Sequence, residues 1–380
     1  MSDTLRLRLA NERCRYGFTL GRIRICPALA STFATAALFN PRSPTDMKKV
    51  LIPILATTLA GAVCAQSSVT LYGRIDASIA SQKTEVGGVT TVDNGAQIRS
   101  GAHTGSRWGL KGSEDLGGGL KANFQLEQGF NIDDGTASSP RQFHRQAWAG
   151  LSGGFGSVRL GRQYSPIDNL YTEHDTYALS GYSAVGYAFN AGAYADSSRI
   201  DNAVYYSTPS VMGGLSAAVM WAPGENKNGA VGTRKNLTGL QAIYEAGPLS
   251  VGGAYEAQRF NGLADTTAWD LGTSYDFGPA KLYGQLEGAK NKATNGKDSG
   301  YQIGVKIPLG APLVMVSYAR ENFKVAGAKV STASAYSLMA QYPLSKRTYV
   351  YAAYLRGTTD PVVGATTRQR NYGLGLVHNF

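Results

Sequence analysis

Apolar and polar residues alternate with a period of two along most of this chain, and that period restricts it to β-sheet. Val69, Leu71, Gly73, Ile75, Ala77 and Ile79 are apolar or small, while Thr70, Tyr72, Arg74, Asp76 and Ser78 between them are polar. Successive side chains of a strand point to opposite faces, so such a segment has one oily and one wet face. The pattern returns in Leu120, Ala122, Phe124 and Leu126 against Lys121, Asn123, Gln125 and Glu127. It returns again in Leu215 to Trp221, Trp269 to Phe277 and Tyr301 to Ile307. Helical spacing is nowhere sustained.

Segments of this kind predict sixteen strands, near 69–80, 104–114, 119–130, 142–152, 156–163, 199–208, 214–222, 237–246, 249–260, 267–277, 280–290, 299–307, 312–322, 334–342, 348–356 and 370–380. Tight turns such as Asp115-Leu-Gly-Gly-Gly119, Gly153-Gly-Phe-Gly156, Gly247-Pro248, Gly278-Pro279 and Pro308-Leu-Gly-Ala311 are expected to take turns with long polar loops. Short turns on one rim, long loops on the other and an even strand count describe a transmembrane barrel. A soluble β-sandwich also alternates. Against it stand polar faces bearing Arg, Lys, Glu and Asp on strand after strand. The apolar faces, for their part, end in Trp108, Trp148, Trp221, Trp269, Tyr275 and Tyr354, as the aromatic girdle of a lipid-facing wall would. The expected class is therefore all-β, a 16-stranded antiparallel transmembrane β-barrel.

The formal charge of +11 over 380 residues invites a nucleic-acid reading until its distribution is considered. Nine of the 37 basic residues and three of the 26 acidic ones precede Gln66, so the rest of the chain carries only +5. Cys14, Cys26 and Cys64 all lie in that first stretch too, which excludes a disulfide scaffold or a Cys-ligated metal downstream. Met47-Lys48-Lys49, the apolar run Val50 to Val63 and the small residues Val63 and Ala65 have the layout of a secretory signal peptide over 47–65. Residues 1–46, Arg-rich and broken by Pro, are read as an extension upstream of the true start. The barrel domain is then 66–380.

The chain ends on Tyr372-Gly-Leu374-Gly-Leu376-Val-His378-Asn-Phe380, alternating up to an aromatic residue. With Val69-Thr-Leu-Tyr-Gly-Arg-Ile-Asp76, Ser106-Arg-Trp-Gly-Leu-Lys-Gly-Ser-Glu-Asp115, Arg145-Gln-Ala-Trp-Ala-Gly-Leu151 and Phe155-Gly-Ser-Val-Arg-Leu-Gly-Arg-Gln163, it resembles the Gram-negative general porins, particularly those of the β-proteobacteria. The resemblance implies a trimer of barrels in the outer membrane, each narrowed by an inward-folded constriction loop. It also implies that Phe380 serves as the signal read by the outer-membrane assembly machinery. Further implied partners are outer-membrane lipid and lipopolysaccharide, and small hydrophilic solutes, with no nucleic acid.

The connection from Gln163 to Ser198 falls where that family places its constriction loop. It is 36 residues long and contains Asp168, Glu173, Asp175 and Asp196 but no Lys or Arg. The resemblance puts a facing basic wall at Arg107, Arg145 and Arg199, with Arg74 as a further basic lumen position. Guanidinium groups stay charged at any physiological pH, and stacked together they need water and carboxylates to screen them. The family's Pro-Glu-Phe-Gly loop tip, common in enteric members, is absent here, which leaves open whether Asp168, Glu173 or Asp175 faces the aperture.

Glu173-His174-Asp175 could be read as metal ligands, but adjacent residues on an extended loop point apart. His103, His144 and His378 are in no pattern of a catalytic triad, and no cofactor is expected. The leading reading is a passive diffusion pore with a weak to moderate preference for anions. The alternatives are a substrate-specific channel and a closed barrel acting as an adhesin or structural anchor. A closed barrel would need bulky apolar groups at the lumen-facing positions, which here are Arg, Lys, Gln, Ser and Gly.

Overall fold

The structure is a computed structural model that describes residues 68–189, 198–224, 234–263 and 265–380. The expected signal peptide, the upstream extension and Asp196 lie outside the described residues. The strand segments are β1 (Ser68–Val86), β2 (Val89–Asp93), β3 (Gln97–Ser100), β4 (Arg107–Gly117), β5 (Leu120–Gly129), β6 (Gln146–Gly153), β7 (Gly156–Tyr164), β8 (Arg199–Ser207) and β9 (Leu215–Pro223). They continue as β10 (Arg234–Ala246), β11 (Leu249–Phe260), β12 (Thr266–Asp276), β13 (Lys281–Asn291), β14 (Gly296–Pro308), β15 (Leu313–Val325), β16 (Ala328–Pro343), β17 (Thr348–Pro361) and β18 (Thr367–Asn379).

Each wall strand pairs antiparallel with its sequence neighbour, and β1 pairs with β18 from Arg74↔Asn379 to Val86↔Thr367, so the sheet closes on itself. Segments β2, β3 and β4 all pair with β1 and together form one wall strand. The eighteen segments therefore make a closed 16-stranded antiparallel barrel. Closure satisfies the backbone polar groups of every wall strand without water, which a wall surrounded by hydrocarbon requires. Phe380 completes the seam. Its N–H donates to the Gly73 carbonyl (3.1 Å) and its own carbonyl accepts from Gly73 N–H (3.0 Å). Its ring lies over Gly73, where a Cβ would collide with it.

The two faces are sorted as the alternation predicts, but inside out relative to a soluble protein. Val69, Leu71, Ile79, Leu160, Val219, Leu240, Leu271, Leu286, Ile303, Leu338 and Leu374 are exposed on the outside. Asp76, Glu127, Glu256, Asp270, Gln285, Glu287, Asp298, Gln302 and Glu321 are buried within. Trp269 and Phe277 face outward eight residues apart on and just beyond β12, about 26 Å along the strand, the spacing of two interfacial girdles.

Two expectations are corrected. The long-loop rim is less ragged than predicted, because β1 and β2 meet at a turn at Gly87-Gly88, and β15 and β16 at Ala326-Gly327. Residues read as loop there extend the hairpins above the membrane-length part of the wall. Trp148 does not belong to the girdle. It stands directly opposite Gln125, on the lumen face, where the Arg159 guanidinium lies 5.2 Å from its ring. A cation over the ring gives an inward tryptophan a polar partner that an apolar-means-outward rule does not anticipate.

Candidate functional site

The stretch between β7 and β8 folds into the barrel. Its base is closed by a hydrogen bond from Ser165 N–H to the Ser198 carbonyl (3.0 Å). Ser165 caps a helix at Pro166–His174, accepting from Asp168 N–H (3.2 Å), with Pro166 in the first turn, where its missing N–H costs nothing. Ile167 and Leu170 on the buried side pack against Ala254, Ala268 and Ala289 of the wall, and Glu256 accepts from Ile167 N–H (2.8 Å). A second, single-turn helix at Ala184–Ala188 is capped by Ser183 and packs on Ala319 and Ala335.

Glycines on the facing strands make the seat. A Cβ on Gly272 would strike His174, on Gly304 Thr176, on Gly357 Tyr187 and on Gly373 the Tyr182 hydroxyl. The loop thus lies where the wall has no side chains.

Between this loop and the far wall is a cavity of about 990 Å³. All four arginines expected at the wall, Arg74, Arg107, Arg145 and Arg199, line it. Arg74 and Arg107 are directly opposite in the β1–β4 register, a placement that is unfavourable for like charges. Glu127 offsets it, accepting from Arg145 Nε (2.8 Å) and from the Tyr72 hydroxyl (3.0 Å) and standing 3.8 Å from Arg107 Nε. Tyr164 ties the other side, its hydroxyl accepting from Arg145 (3.1 Å) and Arg199 (2.7 Å), with the Arg199 guanidinium 4.6 Å from its ring. Arg74 donates to Asn379 Oδ1 (2.7 Å) and Thr104 Oγ1 (3.1 Å). The Thr104 segment is drawn inward by buried Asp76, which accepts from the N–H groups of His103 (2.8 Å) and Thr104 (2.7 Å) and from the Tyr351 hydroxyl (2.9 Å).

Of the three loop acids, Asp168 and Glu173 line the cavity and Asp175 does not. Asp175 follows the helix, is 1% exposed and accepts from Leu179 N–H (2.7 Å). That contact braces Ala178 and Leu179, both held at φ near +50°, a strained backbone for residues with side chains. The helix explains why the three neighbours part: Glu173 faces the cavity, His174 meets Ser250 in the wall (3.1 Å), and Asp175 turns into the loop. Among the described residues no group of His, Cys, Asp and Glu is arranged to hold a metal ion.

Glu127, Tyr164 and Asp76 were not singled out from sequence, although Glu127 and Asp76 were visible on polar strand faces. The cavity also reaches Lys306, Glu287, Asp298 and Glu321 on the wall beneath the loop. The three carboxylates there are 2–6% exposed, and Glu287 accepts from the Tyr171 hydroxyl (2.8 Å). The open side of the cavity is thus the arginine side.

Burial pushes the Asp175 carboxyl above the ordinary carboxylate range. The folded loop therefore holds that proton more tightly than the unfolded chain does. Its closure is favoured at acid pH and weakens as pH rises from the ordinary carboxylate range through the raised value. We predict that open-channel noise grows over this interval and that Asp175→Asn flattens the dependence. Unchanged pH dependence in that variant would assign the effect elsewhere.

The chain matches a family model described as Gram-negative porin over residues 53–361. It is 37% identical over 334 residues to outer membrane porin protein 32 of Delftia acidovorans, covering 84% of this chain and 92% of that protein. It is 31% identical to the major outer membrane protein P.IB of Neisseria gonorrhoeae, covering 82% of this chain and 94% of the relative. Among solved structures, the anion-selective porin from Comamonas acidovorans superposes with a TM-score of 0.72 at 31% identity, over 83% of this chain and all of that one.

Proposed function

This chain belongs to the Gram-negative porin family, and from that membership we propose that the cavity between its arginine wall and its inserted loop is the selectivity aperture. The protein is an outer-membrane pore through which small hydrophilic solutes and ions diffuse passively. The observation that carries the assignment of the aperture is the convergence of Arg74, Arg107, Arg145 and Arg199 on one cavity whose other side bears Asp168 and Glu173. Fixed charges of opposite sign across a water-filled gap orient water and polar solutes, and a greasy molecule would have to displace that water. Among the described residues Glu127 is the one carboxylate within ion-pair distance of the four arginines, so the open side carries excess positive charge and favours anions. The solved relative from Comamonas acidovorans is an anion-selective porin, which agrees with this sign.

We further infer a homotrimer. The outer surface of β16–β18 and β1 carries an apolar depression lined by Ala77, Ile79, Ala340, Ala352, Leu374 and Gly375, a concave apolar face of the kind a neighbouring wall can fill. Phe380, with its ring on the outer face at the seam, is the proposed recognition element for the assembly machinery. Planar-bilayer recording on refolded protein tests the pore and its assembly together. Conductance is expected to rise in groups of three equal steps. A protein that inserts without stepwise conductance would favour the closed anchor.

A further inference from the structure

Two lumen cations lie away from the aperture and are held differently from the arginines there. Arg159 on β7 and Lys111 on β4 both line a second cavity, of about 500 Å³, between the aperture and the short-turn rim. Its other polar side chains include the hydroxyls of Ser113, Ser152, Ser157 and Ser207 and the amides of Asn123 and Gln125, and no carboxylate among the described residues lines it. Among the described residues neither cation has an ion-pair partner. Elsewhere acids compensate the bases: Arg107 and Arg145 share Glu127, and Arg141 and Arg162 share Asp201.

Aromatic rings hold the two cations instead. The Arg159 guanidinium lies 4.4 Å from the ring of Tyr205, its direct cross-strand neighbour, and 5.2 Å from that of Trp148. Its neighbour on the other side is Gly150, which leaves the diagonal Trp148 room to reach it. The Lys111 ammonium lies 5.2 Å from the Tyr72 ring. Each ring is itself pinned. Trp148 Nε1 donates to Gln146 Oε1 (3.0 Å), the Tyr205 hydroxyl accepts from Asn169 of the inserted helix (3.3 Å), and the Tyr72 hydroxyl accepts from Gln125 (2.6 Å). A ring face attracts a cation through its quadrupole but carries no net charge. A carboxylate would fix each cation and cancel it, whereas a ring fixes it and leaves its charge to the water-filled lumen.

We propose that Arg159 and Lys111 form a second anion-attracting station, in series with the aperture and on its short-turn side. The proposal rests on the pore reading and adds to it two residues that determine selectivity. Lys111 is four residues from Arg107 on β4, about 13 Å along the strand. At about 0.1 M salt, charges in water are felt over about 10 Å, so station and aperture act separately and the station responds to the solution at the short-turn mouth. At about 1 M the range falls to about 3 Å. A pore with one station placed off-centre therefore prefers anions more strongly when the mouth beside that station faces the dilute solution.

Reversal potentials in planar bilayers, with potassium chloride at about 0.1 M against about 1 M imposed in both directions, test it. Orientation is read from Ser210→Cys, exposed on the turn between β8 and β9, whose labelling by a bulky membrane-impermeant maleimide lowers the current only from the chamber it faces; no native cysteine follows Cys64. With the station intact, the anion-to-cation permeability ratio is expected to be about twofold or more higher when the short-turn rim is in dilute salt. In Arg159→Gln with Lys111→Gln, the two directions should give the same ratio. Arg159→Lys keeps the charge and should keep the asymmetry. Lys346→Gln with Arg347→Gln, two exposed charges on a turn at the same rim, should keep it too. Equal ratios in both directions with the station intact, asymmetry surviving in the double station variant, its loss in Arg159→Lys, or its loss in the rim variant would each overturn the station. The pore reading is judged separately, on whether the unsubstituted protein gives stepwise current at all.

Discussion

Replacing Arg74, Arg107, Arg145 and Glu127 together by Gln is expected to turn an anion-preferring pore into one that prefers cations. Glu127 must be included, because its carboxylate is nearly buried and depends on Arg145 and Arg107 for its partners. Left alone, it would be an unpaired interior charge, costing several kcal/mol and confusing stability with selectivity. The change removes three positive charges and one negative one from the cavity edge, leaving Arg199 facing Asp168 and Glu173. A unit charge a few ångströms from a permeating ion contributes about 1 kcal/mol in water and more where a low-dielectric wall focuses the field. A net loss of two charges acts on anion and cation with opposite signs, so the ratio of their permeabilities should shift by about tenfold or more, since 1.4 kcal/mol is a factor of ten. At 1 M salt, where screening acts within about 3 Å, most of the shift should vanish. A variant with unchanged reversal potential at low salt would remove the arginines from the aperture.

Excising the loop should have the second large effect. Ser165 and Ser198 are already joined by a hydrogen bond, so residues 166–197 can be replaced by an Asn-Gly pair, the favoured two-residue hairpin link. The wall ladder does not depend on the excised segment, since β7 and β8 pair from Ser157↔Ser207 to Tyr164↔Arg199. Closure of the barrel should therefore survive. The loss falls on the interior contacts: Ile167, Leu170, Tyr177 and Tyr182 are all nearly fully buried against the wall. Stability should drop by several kcal/mol from their burial alone, read as a lower midpoint of heat-induced monomerisation or unfolding. Single-channel conductance should rise about twofold or more, and sugars too large for the parent should pass in liposome swelling. Conductance and size limit equal to the parent's would show that the narrowest point lies elsewhere.

The barrel was legible in the sequence because alternation is enforced by the surroundings. Lipid on one side and water on the other leave no freedom of face at Leu71, Leu240 or Ile303. The broken second wall strand was not legible, since β2 and β3 exist only through pairing with the long upper part of β1, a non-local contact with no local pattern of its own. At the site, the arginines could be placed from strand parity and family resemblance, and all four meet at one cavity. The roles of the loop acids could not be assigned in the same way. One helical turn decides that Glu173 faces the cavity and Asp175 does not, and that helix rests on a serine cap and on glycines far away in sequence, at Gly272 and Gly304. Trp148 was assigned to the wrong face for a related reason: its partner, Arg159, comes from the next strand.

Whether the arginine side governs what passes is read from the reversal potential of the unsubstituted protein in a planar bilayer under an about tenfold potassium chloride gradient at low salt. The potential is expected to be displaced toward the chloride equilibrium value, by an amount that shrinks as salt is raised. A displacement toward the potassium value would contradict it.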